Sequence, residues 1–133
     1  DSGWTLTMAA TAGVTSKWEN AGVTQTFDFN DIGGTGCTDS GDADAIAGRM
    51  TVDANAGTLT ADCGSCATTN ITKGSSTAFN QGTTDSVTLL TASSGSNDIG
   101  RWYLTNVGIG QTLPAEQAPD SYSIYMTVTS TAS

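Results

Sequence analysis

The sequence predicts an all-β chain: an antiparallel β-sandwich, immunoglobulin-like or jelly-roll, folded as a single domain over residues 1–133. Three observations predict it. Both ends, Gly3-Trp4-Thr5-Leu6-Thr7-Met8 and Ser121-Tyr122-Ser123-Ile124-Tyr125-Met126-Thr127-Val128-Thr129-Ser130, alternate large apolar residues with Ser or Thr. That is the period of a half-buried strand. Short β-prone runs recur between them, separated by Gly, Asn and Ser clusters. No stretch of useful length carries the 3.6-residue period of a helix.

The strand candidates are residues 3–10, 23–30, 46–54, 57–61, 67–72, 85–92, 101–107 and 121–131. Breaks fall at Asn20-Ala21-Gly22, Gly33-Gly34-Thr35-Gly36, Asn55-Ala56-Gly57, Asn80-Gln81-Gly82 and Ser93-Ser94-Gly95-Ser96-Asn97. Alternation assigns the inward faces: Trp4, Leu6 and Met8; Phe27 and Phe29; Met50 and Val52; Val87 and Leu89; Trp102 and Leu104; Tyr122, Ile124, Met126 and Val128. Residues 38–48 hold one short helical turn at most. Leu113-Pro114-Ala115-Glu116-Gln117-Ala118-Pro119-Asp120 is a crossing loop, because proline has no N–H to give a ladder.

Composition bounds the partners. Hydrophobic residues make up 37% and charged residues only 13%, so Thr, Ser, Asn, Gly and Ala must cover the surface. The net charge is −9, with Lys17, Arg49, Lys73 and Arg101 the only basic residues. So few cations cannot neutralise a run of phosphates, so no nucleic-acid partner is expected, and anionic membranes and polyanionic glycans are disfavoured likewise unless a divalent cation bridges. No segment is apolar and long enough to span a bilayer. The chain opens at Asp1 with no apolar leader, which we read as the mark of a processed, exported product, extracellular or at the cell surface.

Catalysis finds little support. Histidine is absent, which removes the usual general base near neutral pH and the commonest metal ligand. Glu19 and Glu116, the only glutamates, have nothing to bring them together for glycoside chemistry. No Gly-x-Ser-x-Gly elbow and no Ser-x-x-Lys setting occurs.

Three cysteines, Cys37, Cys63 and Cys66, allow three single pairings and leave one thiol over. Cys63-Gly64-Ser65-Cys66 is a C-x-x-C without the helix that a redox site of the thioredoxin type needs. A disulfide pinning a loop is the favoured reading; zinc with Asp39 or Asp62, and redox work, are its rivals.

Asp28, Asn30 and Asp31 precede a Gly-rich stretch that Asp39, Asp42 and Asp44 follow. Clustered oxygen ligands suit calcium, although the spacing is not that of an EF-hand. The rival reading is a solvated acidic loop. Trp18, in polar Ser16-Lys17-Trp18-Glu19-Asn20, pairs with Tyr103 or Tyr125 as a platform for a sugar ring, or else folds back over the sandwich end. Asn70-Ile71-Thr72 is a glycosylation sequon.

The terminal strands lack the guards that sheets place on their edges. No charged residue lies between Ser2 and Ser16, or from Ser121 to Ser133. Such an edge is open to β-strand addition from another copy, and a head-to-tail contact that does not close gives a filament. The anchors would be Trp4, Leu6 and Met8, or Tyr122, Ile124, Met126 and Val128. The plainer alternative is pairing within one sheet.

Gly3-Trp4-Thr5-Leu6 resembles the Gly-Trp-x-Leu opening of WxL-type bacterial cell-surface domains. Asp85-Ser86-Val87-Thr88-Leu89-Leu90-Thr91-Ala92, Gly100-Arg101-Trp102-Tyr103-Leu104, Leu113-Pro114-Ala115 and the Thr-rich closing strand with its Tyr resemble the later half of that family. The family's closing strand carries its own Trp-x-Leu, where this chain has Ile124-Tyr125-Met126. More loosely, the chain is similar to Thr-rich subunits of extracellular filaments built by strand exchange. The resemblance implies a secreted, non-catalytic sandwich at the cell envelope. The expected function is therefore a structural surface protein that polymerises with copies of itself by strand pairing. The alternatives are a module binding cell-wall glycan and a calcium-dependent adhesin. No cofactor is expected unless it is calcium.

Overall fold

A computed structural model of the chain describes residues 2–31, 47–97, 99–115 and 117–133. The helical turn expected within 38–48 falls almost wholly outside them. Among the described residues there are strands and no helix. In chain order the strands are β1 (Trp4–Ala10), β2 (Lys17–Asn20), β3 (Thr26–Asp28), β4 (Asn30–Asp31), β5 (Gly48–Asp53), β6 (Thr58–Ala61), β7 (Ile71–Lys73), β8 (Thr77–Ala78), β9 (Ser86–Ala92), β10 (Trp102–Thr105), β11 (Gly108–Thr112), β12 (Tyr122–Ser123) and β13 (Met126–Ala132).

All pairings are antiparallel, and the strands stack as a sandwich. One sheet runs β13-β1-β9-β7. The second layer is assembled from shorter pieces. The run of β3 and β4, broken only at Phe29, pairs with β2 through its first half and with β5 through its second. The chain thus passes directly from the sheet β12-β2-β3 into the sheet β11-β5-β4. Phe29 marks the switch, its carbonyl accepting from the Met50 N–H at 2.6 Å. Beyond a turn at 54–57, β6 and β10 continue the β5–β11 ribbon, with Leu59 opposite Leu104. Lys73 holds that turn by donating from Nζ to the carbonyls of Asn55 and Gly57, 2.6 Å each.

The core lies between the layers. Met8, Val87 and Leu89 of the first sheet pack on Phe29, Met50 and Val52 of the second and on Phe79, which follows β8. Phe29 and Phe79 meet edge to face at 5.1 Å. Burial of each such side chain contributes about 1.5–3 kcal/mol. A satellite cluster of Ile71, Leu90 and Ala92 is covered by Trp4 and Trp102, whose rings lie 6.2 Å apart.

A β-bulge serves both clusters. Leu6 pairs with Leu90 but Thr7 pairs with Thr88, so Leu89 is the extra residue. Strict alternation would send one of two consecutive leucines to solvent; the bulge turns both inward, and both are buried.

The structure corrects several expectations. The two terminal strands pair with each other within one sheet, the plainer of the two expectations; β1 is interior, between β13 and β9, so of the pair it is β13 that lies at an edge. Phe27, Phe29, Met50, Val52, Val87 and Leu89 are buried as expected, whereas Trp4, Leu6, Trp102 and Leu104 are half-buried and Val128 is 54% exposed. Residues 67–70 are not strand; β7 begins at Ile71. β2, β8 and β11 were not predicted. No strand occurs among the described residues of 113–120, as the prolines require. There Tyr122 Oη donates to the Ala118 carbonyl at 2.7 Å and accepts from Gln117 Nε2 at 2.7 Å, pinning the crossing loop.

Candidate functional site

The closing segment belongs to both layers. β12 pairs with β2, Tyr122 opposite Asn20; β13 then pairs with β1 along its whole length, from Met126 opposite Ala10 to Ala132 opposite Trp4. The terminal strands predicted as assembly elements thus lie side by side. Trp4, Leu6 and Met8 form the interior row. Tyr122 packs edge to face on Phe27 at 5.1 Å, and Ile124 and Met126 are half-buried against the core.

Backbone polarity follows from two hydrogen bonds. Thr11 N–H donates to the Tyr125 carbonyl at 2.9 Å, and Ser133 N–H donates to the Gly3 carbonyl at 3.0 Å. Odd-numbered residues of the strand therefore bond to β1. In an antiparallel ladder the intervening residues point the other way. The N–H and C=O groups of Met126, Val128, Ser130 and Ala132 are accordingly directed away from the sheet, along an edge with no neighbouring strand among the described residues. Residues 127–132 are all exposed, and none is charged. Val128 sits opposite buried Met8 and so faces the core side, yet it is 54% exposed and no described strand of the second layer covers it.

A second edge has the same character, and sequence reasoning missed it. Among the described residues β11 pairs only with β5. Met50 directs its N–H to Phe29 and its C=O to Phe79, away from β11. Thr51 and Asp53 therefore make the ladder with Gly110 and Gly108, and the backbone groups of Ile109 and Gln111 point outward. Ile109 lies opposite Val52, which is 1% exposed, but is itself 63% exposed. The signal in the sequence was faint, because two glycines flank Ile109 and dilute its alternation.

At the corner where the closing segment leaves β2 for β1 lies a pocket of about 260 Å³. Thr11, Ser16, Lys17, Glu19, Ser123 and Tyr125 contribute to its walls. Tyr125 is 79% exposed.

The other predicted positions are dispersed. Cys63 and Cys66 form a disulfide with Cα atoms 5.2 Å apart. It packs on Gly100, where a Cβ would overlap Cys66 Sγ. Cys37 lies outside the described residues. So do Asp39, Asp42 and Asp44 of the calcium expectation; Asp28 and Asp31 are buried, with Asp28 3.7 Å from Lys17 Nζ. Among the described residues no three Asp, Glu, Cys or His side chains gather in a metal-binding group. Trp18 stacks on Phe27 at 5.9 Å, and its indole N–H donates to Gln111. Asn70 is exposed in a turn, φ +61°, and donates to the Gly95 carbonyl at 3.2 Å. Glu19 is exposed on β2, and Glu116 lies outside the described residues.

Two acids are displaced from their ordinary titration. Hydrogen bonds from Asn20 and the Ser121 N–H hold the Asp120 carboxyl low. The Asp62 carboxylate, which also pairs with Arg101 at 3.2 Å, pushes the Tyr103 phenol up. No described helix is long and apolar enough to cross a membrane. No protein-family model, no curated protein and no solved structure matches this chain.

Proposed function

We propose that the chain is a non-catalytic extracellular structural subunit that assembles with copies of itself, through the edge of its closing strand, into a surface filament or layer. One observation carries this reading: β13 is a seven-residue edge of Thr, Ser, Met, Val and Ala, uncharged and, beyond half-buried Met126, exposed. Its outward N–H and C=O groups are what another strand completes. The Cys63–Cys66 disulfide fits an oxidising compartment outside the cell.

Proline placement tests it. Ser130→Pro removes an outward N–H and spares the ladder to β1; Thr129→Pro removes a ladder N–H. Wild-type protein should sediment as large particles and show fibres or sheets by electron microscopy. Ser130→Pro should stay small at an unchanged melting temperature, while Thr129→Pro should melt lower. A wild-type chain that remains monomeric at every concentration reached sinks the proposal.

The corner pocket favours a second reading, a glycan-binding surface module. An exposed tyrosine beside hydroxyls, a lysine and a carboxylate matches the mixed face of a sugar ring. Sedimentation with isolated cell walls tests it, and binding that survives Tyr125→Ala removes this site.

A further inference from the structure

We infer that the strand receiving β13 is β11 of a second copy, so that assembly is head to tail between unlike edges. The inference rests on the assembly reading above and names its partner surface. Of the strands at sheet edges among the described residues, β13 and β11 are the longest, at seven and five residues. β7 is three residues long and ends in Lys73, committed to the 54–57 turn. β13 and β11 are longer, uncharged and outward-bonding. Each carries a core-facing apolar residue that its own molecule leaves uncovered, Val128 at 54% and Ile109 at 63% exposure.

Within one chain the two edges are not joined: β13 belongs to the sheet β13-β1-β9-β7 and β11 to the sheet β11-β5-β4, and among the described residues no pairing links them. The open edge beside Val128 therefore takes a strand from another molecule. Charge says which kind. Neither edge bears an ionised side chain, so joining them strips water from no charge, whereas an ionised partner strand would leave its charge desolvated. Register agrees. An antiparallel pair with Val128 opposite Ile109 and Met126 opposite Gln111 matches outward-bonding residues on both strands. It also sets the two uncovered apolar side chains against each other on one face. Pairing β13 with its own copy would leave Ile109 in water. Because the joined surfaces differ, the contact propagates without closing.

Lysine at either position stays hydrated in the monomer but would be buried unpaired in the joint, as an inward-pointing edge charge. Val128→Lys disables β13 and keeps β11; Ile109→Lys does the reverse. Each variant alone should be monomeric, and an equal mixture should give a species of twice the chain mass and nothing larger. Ile109→Lys that still polymerises, or that dimerises alone, overturns the β11 assignment while leaving strand assembly standing. A mixture that stays monomeric also overturns it. Wild-type protein that never assembles removes both ideas together. Should either lysine variant melt below wild type, Val128→Pro and Ile109→Pro replace the pair, since each deletes an N–H that points into the joint and spares the ladder of its own sheet.

Discussion

Trp18 donates its indole N–H to Gln111 Oε1 at 3.0 Å, tying β2 directly to β11 of the neighbouring sheet. The amide is used at both ends, because Gln111 Nε2 donates to the carbonyls of Asp28 and Thr112 at 3.1 and 2.8 Å. Gly48 makes room for this, since a Cβ there would overlap the Asp28 carbonyl. On its other side Trp18 stacks on Phe27, and Phe27 meets Tyr122. The contacts thus run from β11 of one sheet to β12 of the next.

Gln111→Leu should be markedly destabilising for a residue on an edge strand. It keeps the shape but leaves the half-buried indole N–H and two carbonyls without their partner. An unmade hydrogen bond of this kind costs about 1–3 kcal/mol. Urea unfolding followed by tryptophan fluorescence measures it. A midpoint equal to wild type would mean that water serves Trp18 as well as glutamine does.

Val23 offers the opposite sign. It lies in the turn between β2 and β3 with φ +52°, a left-handed conformation that crowds a β-branched side chain. The turn is imposed by Asn20, whose Oδ1 accepts from the N–H groups of Thr24 and Gln25 at 2.9 and 3.1 Å. Val23 is 60% exposed, so little burial is lost on replacing it. Val23→Asn should stabilise the fold by about 0.5–1 kcal/mol, because asparagine tolerates this region. A lower melting temperature would show that the valine side chain contributes contacts worth more than its strain.

What the sequence made legible was period, and what it hid was everything that breaks period. Met50 and Val52 alternate without interruption, and their burial was foreseen. Leu90 was not, because the bulge at Leu89 changes parity in mid-strand. β11 was lost because Gly108 and Gly110 carry no side chain to alternate. Phe79, among the most buried residues, stands beside a two-residue strand too short to register as one. Val128 has the right parity for the core, but its exposure depends on where the second layer stops, which no local pattern encodes. The open edge was thus readable as a strand without guards, while its outward backbone groups and its counterpart on β11 required the topology.

Asp120 couples the crossing loop to the β2–β3 turn, accepting from Asn20 Nδ2 at 2.8 Å and from the Ser121 N–H at 2.7 Å. Both bonds favour the carboxylate and lower its folded pKa below the unfolded value. A depressed acid stabilises the fold above its unfolded pKa, and that contribution is lost as pH falls through the folded pKa. Stability should therefore drop on acidification below about pH 4, the ordinary aspartate range. Asp120→Asn should flatten that part of the profile and change little at neutral pH beyond the lost bonds. Melting temperature against pH for the two proteins decides it; parallel curves would assign the acid sensitivity to other carboxylates.

Assembly itself should respond to salt in a direction that reports its chemistry. Each copy carries a net charge of −9, so approaching molecules repel. The edges that would meet carry no charged side chain, so the contact contains no ion pair for salt to weaken. Screening then acts on the repulsion alone. The Debye length falls from about 30 Å at 0.01 M to about 8 Å at 0.15 M, and further at higher ionic strength. Raising sodium chloride across this range should lower the concentration at which particles form and shorten their lag, followed by light scattering. A joint built on carboxylate–lysine pairs would respond in the reverse sense. Particles that dissolve as salt is added would therefore rule out an uncharged strand edge as the contact, whatever their shape in the microscope.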